Sequence, residues 1–198
     1  MARSNAERKV LEAGFDPARL PPGQYLTHKW PVLHVGSVPV ADPSTWRLRV
    51  WGEVESEVEL GLEELRSLPA TEVVADIHCV TRWSRFDAAF RGVRLAELAR
   101  PTAAARFVVA HAAQDYRANL PLSALDEPGS LVAYEADGEQ LTPEHGGPLR
   151  LVVPSRYFWK SAKWLLGLEV RADDEPGTWE RLGYSNEADP WAEERYSV

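Results

Sequence analysis

The sequence has little cysteine, no excess of positive charge and no long apolar run, and each absence excludes a class of protein. Its 198 residues include a single cysteine, Cys79, so neither an intrachain disulfide framework nor an all-cysteine zinc site can form. Acidic residues outnumber basic residues by 30 to 22, whereas nucleic-acid and anionic-membrane binding both require a basic surface. We therefore expect no nucleic-acid partner and no membrane partner.

Apolar runs such as 107–110 and 149–153 are far shorter than the ~20 residues that span a bilayer. The first 24 residues carry charges without an apolar stretch behind them, unlike a secretory signal. We therefore expect a cytoplasmic protein.

Predicted strands outnumber predicted helices. Apolar patterning predicts strands over 46–54, 71–79, 106–112, 130–136, 149–153 and 164–170, and residues 58–60 are expected to continue the hairpin of the first of these. Short helices are predicted over 4–13, 62–68 and 95–99, and a turn is predicted at Gly92. Without a regular βαβ alternation or a repeat, this pattern predicts one domain of the α+β class.

The N-terminal region divides into a short helix and a long loop. Ser4 and Glu7 have the spacing of a capping box, and residues 14–44 are rich in proline and glycine. Because this loop also carries aromatic residues and histidines, we predict that it wraps a functional site. We assign residues 1–24 to an N-terminal helix and loop, and residues 25–198 to the main domain.

Cys79 follows the predicted strand 71–79 and stands in the segment DIHCVTRWS. Arg82 and Arg85 follow closely, and nearby cations lower the pKa of a thiol toward the thiolate that nucleophiles and metal ligands require. The alternative is an inert, buried cysteine. A second alternative is a thiol-dependent hydrolase in which His78 or His111 is the base, which requires hydrogen-bond contact with the thiol.

Charge is concentrated late in the chain. Residues 147–171 contain five basic residues and one acidic residue, and residues 172–198 contain eight acidic residues and two arginines. Within HGGPLRLVVPSRYFWKSAKWL (145–165), Arg150 and Lys163 are the side chains suited to a phosphate. The acidic tail is rich in tryptophan, so we expect it to dock on the body, with the Tyr184 hydroxyl facing a pocket or, alternatively, the surface.

Together these features resemble the molybdopterin-binding oxidoreductase domain of the sulfite oxidase family, and within it the stand-alone bacterial proteins. The resemblance covers about residues 25 to 198. The matching segments are PVLHVGSVP, DPSTWRLRVWGEV, DIHCVTRWS, FRGVRLAEL, NLPLSAL, LVAYEADGEQLTPEHGGPLRLVVPSRYFWKSAKWL and GTWERLGYSNEADPWAEERY. It implies a single-domain fold with mixed sheets and short helices.

The resemblance also implies a molybdenum-molybdopterin cofactor and a role for individual residues. Cys79 matches the cysteine that ligates molybdenum, so it is both the expected metal ligand and a catalytic residue. Tyr184 matches a substrate-facing tyrosine, and Arg82 lies near the position of pocket arginines. The expected cofactor-binding residues are Leu33, His34, Cys79, His145, Arg150, Ser161, Ala162 and Lys163.

The implied activity is oxygen-atom transfer, or a related two-electron redox reaction, on a small oxo substrate such as a sulfur compound. The implied partners are this small-molecule substrate and an electron-transfer partner, and the absence of a CxxCH motif predicts no haem domain. The arginine that sulfite oxidases carry in the N-terminal loop is Leu33 or His34 here. This departure leaves a second hypothesis open, a non-catalytic molybdopterin-binding module that kept the fold.

Overall fold

Two β-sheets and three short α-helices are present within residues 4–197, the part of the chain that the computed structural model of the protein describes. The helices are α1 (Asn5–Glu12), α2 (Leu62–Ser67) and α3 (Leu95–Leu98). The strands are β1 (Tyr25–Leu26), β2 (Arg47–Gly52), β3 (Val58–Gly61), β4 (Thr71–His78), β5 (Trp83–Arg94), β6 (Phe107–Ala112), β7 (Arg117–Pro121), β8 (Leu131–Ala136), β9 (Glu139–Gln140), β10 (Arg150–Val152) and β11 (Leu165–Arg171). Residues 1–3 of the predicted N-terminal segment (1–24) and residue 198 of the predicted main domain (25–198) lie outside the described residues.

The first sheet is built around the long strand β5. Its order is β1-β5-β8-β10, with β4 paired to β5 and β9 paired to β8. The β4–β5 pair is antiparallel, whereas β1 runs parallel to the start of β5. Residues 79–82 connect β4 to β5, so the cysteine predicted at the end of a strand lies in this connection.

The second sheet has the order β3-β2-β11-β6-β7 and is also mixed, because β11 runs parallel to β2 and antiparallel to β6. One core cluster joins the two sheets, since it contains residues of β2, β6 and β11 together with residues of β8 and β10. Apolar burial of this kind is the main stabilising term of a domain this size. A second cluster includes Cys79, Trp83, Phe90 and Phe158.

The predicted α+β fold with mixed sheets and short helices is confirmed. The capping box at Ser4 and Glu7 is present, and the predicted helices and strands are found within a few residues of their expected ends. The turn predicted at Gly92 is wrong, since β5 continues through this residue with a bulge against β8. The sequence patterning also did not predict β1, β5, β7 and β9 as strands.

The N-terminal segment packs on the first sheet. Phe15 meets Phe86 edge to face, with ring centroids 5.4 Å apart, and Arg19 bonds both carboxylate oxygens of Asp76. These contacts join the helix and loop to the body, while the predicted boundary at residue 24 stays a prediction.

Candidate active site

A cavity of about 350 Å³ lies beside Cys79. Its walls come from five segments that are far apart in sequence: the N-terminal loop, the β4–β5 connection, the β6–β7 connection, the stretch before β11, and the tail. The residues that line the cavity include Trp30, Leu33, His34, Cys79, Thr81, Trp83, Tyr116, Arg150, Trp159, Ser161, Ala162, Lys163, Trp164, Thr178, Trp179 and Tyr184. The predicted wrapping of a site by the N-terminal loop is thus observed.

The β4–β5 connection fixes Cys79. The Cys79 amide donates to the Trp83 carbonyl at 2.9 Å, and the Arg82 amide donates to the Cys79 carbonyl at 2.9 Å. Arg82 closes this tight turn with φ +76°, a strained conformation for a residue with a side chain. Gln24 donates its amide to the Cys79 carbonyl at 3.0 Å, so the cysteine is held from both sides.

The Cys79 thiol is 8% exposed, and the Thr81 hydroxyl donates a hydrogen bond to its sulfur at 3.2 Å. Burial raises the pKa of this thiol, and the Thr81 bonds act in the opposite direction. A buried thiol that opens onto a cavity and accepts a hydrogen bond is suited to a metal, which displaces the thiol proton.

Arg150 is a buried cation at another part of the wall. It is 1% exposed and donates to the carbonyls of His145 at 2.7 Å and Ser161 at 2.9 Å. Its guanidinium lies 4.3 Å from the centre of the Phe158 ring. Within residues 4–197 no carboxylate lies within salt-bridge distance of it, and burial lowers the pKa of Arg150. The charge of Arg150 therefore favours an anionic ligand.

Lys163 adds a second cation. Its amine donates to the Glu144 carbonyl at 2.5 Å. Burial and the charge of Arg150 lower the pKa of Lys163 to about 8. Two neighbouring cations repel each other, so an anion such as a phosphate would relieve the repulsion.

Aromatic side chains surround Tyr184 on the tail side of the cavity. The Tyr184 ring contacts Trp159 at 5.3 Å and Trp179 at 4.9 Å between ring centroids. Burial raises the pKa of Tyr184, so its hydroxyl stays protonated at neutral pH and is a hydrogen-bond donor. The expected docking of the tail on the body is observed.

Two of the predicted site residues lie outside the cavity lining. Arg82 is exposed and does not line the cavity. His145 stacks on Trp30 with ring centroids 4.1 Å apart and lines a neighbouring pocket, and its carbonyl accepts a hydrogen bond from the cavity residue Arg150. The other predicted residues, which the structure brings together, are Leu33, His34, Cys79, Arg150, Ser161, Ala162, Lys163 and Tyr184.

The histidines do not form a nucleophile–base pair with Cys79 in the described part of the chain. His78 Nδ1 is 2.8 Å from the Ser84 hydroxyl, and His111 Nε2 is 2.8 Å from Glu169. Across residues 4–197 the hydrogen bond recorded to the Cys79 sulfur comes from Thr81. The geometry does not favour the hydrolase hypothesis.

Two aromatic lining residues, Trp30 and Trp164, are not among the expected cofactor-binding residues, although Trp30 lies in the loop predicted to wrap a site and Trp164 lies in the segment 145–165. Trp164 has φ +55° and donates from its indole to the Pro143 carbonyl at 2.7 Å. A bulky residue in the left-handed region is strained and marks functional sites. The available sequence signal was the proximity of Trp164 to Lys163 and of Trp30 to Leu33.

Comparison with known proteins identifies the family of this chain. The sequence model of the family described as "Oxidoreductase molybdopterin binding domain" matches residues 35–179. The chain therefore belongs to this family, and the predicted molybdenum-molybdopterin cofactor is confirmed. Leu33, His34 and Tyr184 lie outside the matched range.

The chain is similar in sequence to two curated proteins and similar in fold to one solved structure. The chain is 45% identical over 183 residues to the uncharacterized oxidoreductase YuiH of Bacillus subtilis, covering 90% of this chain and 92% of that one. It is 29% identical over 154 residues to the catalytic subunit MsrP of the protein-methionine-sulfoxide reductase of Campylobacter jejuni, covering 68% and 52%. The sulfane dehydrogenase SoxCD of Paracoccus pantotrophus shares the fold, with TM-score 0.64 at 22% identity over 74% of this chain and 42% of that one.

A membrane-spanning helix is not found, because no helix among residues 4–197 has both the length and the apolar character to cross a bilayer.

Proposed function

We propose that this protein is a molybdenum-dependent oxidoreductase that transfers an oxygen atom, or performs a related two-electron reaction, on a small uncharged oxo substrate. The observation that carries the proposal is one cavity that joins the Cys79 thiol to Arg150 and Lys163, two cations that have no carboxylate partner among residues 4–197. Oxidoreductases of this family bind the cofactor for which such a cavity is suited.

The residues present fit the cofactor chemically. Thiolates are strong metal ligands, and Cys79 supplies a thiol at the cavity wall. Arg150 and Lys163 supply the charges for the phosphate of the pterin. Trp83 is buried at the same wall, and its indole nitrogen has no hydrogen-bond partner within residues 4–197, so it offers a donor to a ligand.

Cys79 would hold the metal, and Arg150 and Lys163, with the segment Ser161–Ala162, would hold the pterin and its phosphate. When bound, the cofactor supplies a redox centre that exchanges two electrons together with an oxygen atom. Thr81 orients the Cys79 sulfur through its hydroxyl. Tyr184 donates a hydrogen bond where negative charge develops on a substrate oxygen.

The substrate wall beside Cys79 supports an uncharged substrate. Its side chains are the aromatic residues Trp159, Trp179 and Tyr184 together with Val80 and Thr81. Neither Arg82 nor Arg195 lines the cavity, and the Arg195 guanidinium donates to the Val80 carbonyl. Desolvating a dianion such as sulfite without a cation is costly, whereas a neutral sulfoxide or N-oxide with apolar groups fits this wall.

The same proposal includes an electron-transfer partner and a cytoplasmic location. The relative MsrP is itself called a catalytic subunit, which supports a separate electron-transfer protein for this chain as well. Cell fractionation with an antibody to the chain tests the location.

The test uses the variant Cys79→Ser, produced with molybdate in a host that makes the cofactor. We expect the parent to contain molybdenum and a pterin that fluoresces after denaturation, and to turn over substrate with an artificial electron carrier. We expect Cys79→Ser to retain the pterin, because Arg150 and Lys163 remain, and to lose turnover by at least about 100-fold. The control Val40→Ser introduces the same side chain at an exposed position of the N-terminal loop, outside the cavity lining, and should retain the turnover of the parent.

A parent protein without molybdenum and pterin would contradict the proposal. A parent protein that contains the cofactor but whose molybdenum is not reduced by an added reductant would instead support the non-catalytic module. No observation in the described residues favours that module. Loss of the pterin from Cys79→Ser would contradict the assignment of pterin binding to Arg150 and Lys163.

A further inference from the structure

A buried ion pair joins the tail to the segment that closes the cavity. The Lys160 amine lies 2.6 Å from the Glu180 carboxylate, and the two side chains are 1% and 3% exposed. It is the most completely buried salt bridge recorded within residues 4–197; the others have partners that are at least 9% exposed. Burying two charges costs several kcal/mol of desolvation each, so this pair requires an explanation.

Further hydrogen bonds tie both partners into the wall. The Glu180 Oε1 atom also accepts a bond from the Trp159 indole at 2.8 Å. The Lys160 amine also donates to the carbonyl and the side-chain oxygen of Asn119, both at 2.8 Å. Glu180 Oε2 is buried without a partner in the described residues, so the position of the carboxylate depends on its other oxygen.

The pair stands between two groups of cavity residues. Lys160 directly precedes Ser161, Ala162 and Lys163, and Glu180 directly follows Trp179 and lies four residues before Tyr184. All five neighbours line the cavity. A fixed distance between Lys160 and Glu180 therefore fixes the distance between the cation side and the aromatic side of the cavity.

We propose that Lys160 and Glu180 are positioning residues that hold the tail residues Trp179 and Tyr184 against the cavity and thereby cover Cys79. Packing alone stabilises a tail without specifying one position, because apolar contacts are not directional. An ion pair supported by three hydrogen bonds in the interior is directional, and its replacement by apolar groups of similar volume is often neutral for stability. The pair therefore sets geometry more than it sets stability.

The inference rests on the proposed function only in identifying the Cys79 cavity as the reacting site. Its test uses the cofactor-free full chain and measures no activity. Since Cys79 is the single cysteine, alkylation by iodoacetamide reports the cover over this thiol alone.

The informative variant is the double substitution Lys160→Met with Glu180→Gln. It removes both charges together, and the Gln oxygen still accepts the Trp159 bond. We expect a thermal midpoint close to that of the parent and alkylation of Cys79 about tenfold faster. We also expect a changed near-ultraviolet circular dichroism spectrum, because Trp159, Trp179 and Tyr184 form one contact cluster.

The control removes an exposed pair. Arg49→Met with Glu57→Gln deletes a 2.9 Å salt bridge whose partners are 52% and 54% exposed, and this variant should alkylate at the parent rate. Glu180→Asp keeps the charge but shortens the side chain, so its rate should lie between the rates of the parent and the double variant.

Two results would overturn the inference. One is a double variant that alkylates within about twofold of the parent with an unchanged near-ultraviolet spectrum, which would assign the tail position to packing. The other is a Glu180→Asp variant that alkylates at the rate of the parent, and this comparison remains decisive where the double variant fails to fold. Neither result depends on whether molybdenum is found in the loaded protein.

Discussion

Individual residues in this cavity are held in states that are unfavourable without a ligand. Arg150 is buried and has no carboxylate partner within the described residues, and Lys163 is a half-buried amine next to it. Trp164 occupies the left-handed region of backbone conformation, as does Arg82 in the turn that holds Cys79. Strain and unpaired charge of this kind collect at binding sites, where the ligand compensates for them.

At the residue scale we predict that Lys163→Met stabilises the cofactor-free protein at pH 7 by about 1 kcal/mol, a value discounted for partial exposure. The pKa of Lys163 is lowered from 10.5 to about 8, so below pH 8 the folded chain carries the full cost of the charged amine. Between pH 8 and 10.5 the folded chain has released this proton and the unfolded chain has not, so the stability of the parent rises with pH. The gain from the variant should therefore disappear near pH 10.5.

Urea unfolding at pH 7 and pH 10 checks this prediction, with Lys9→Met on the exposed face of α1 as the control of equal charge change. The same variant should retain less cofactor than the parent. A Lys163→Met protein that is less stable than the parent at pH 7 would show that the bond to the Glu144 carbonyl outweighs the cost of the charge.

Among the elements, β5 is the one that connects core and site. It begins at Trp83 in the cavity wall and ends beyond the bulge that separates Arg91 from Gly92 in its pairing with β8. A Cβ atom on Gly92 would lie 2.0 Å from the Val132 carbonyl oxygen and 2.7 Å from the Ala133 Cα. The two strands approach so closely there that a side chain cannot fit.

At the element scale we predict that Gly92→Val destabilises the protein by about 3 kcal/mol, because the clash is with backbone and cannot relax by a rotamer change. Gly61→Ala is the matched control at the end of β3, where the new Cβ would lie 3.3 Å from the flexible Glu64 side chain. It should cost less than about 1 kcal/mol. Equal losses in a urea titration would contradict the close approach of β5 and β8.

For the molecule as a whole, the cavity exists because five distant segments meet. The N-terminal loop contributes Leu33 and His34, and the tail contributes Thr178, Trp179 and Tyr184. Arg195 connects three parts of the chain, since it donates to the carbonyls of Val80 and Pro22. The character of the substrate wall is therefore a property of the assembled fold.

At the scale of the molecule we predict that Leu33→Arg raises the ratio of sulfite turnover to turnover of an uncharged sulfoxide by about tenfold. The reason is that the variant adds a cation to the residues that line the cavity. The parent should prefer the sulfoxide. Val40→Arg, in the same loop but fully exposed and outside the lining, adds the same charge and should change the ratio little. A parent that prefers sulfite, or two arginine variants with the same ratio, would contradict the proposed substrate class.

The α+β class, more than half of the strands, the capping box of α1 and the molybdopterin-binding family were predictable from the sequence. These features rest on local patterns or on contiguous segments such as DIHCVTRWS. The prediction was wrong at Gly92, where glycine serves close strand packing instead of a turn, and apolar–polar alternation did not reveal β1, β5, β7 and β9. The folded structure was needed to show that the His145 carbonyl binds Arg150, that Arg82 does not line the cavity, and that Lys160 pairs with Glu180. Orientation and pairing depend on which distant segments meet, and that information lies in packing and not in the local sequence.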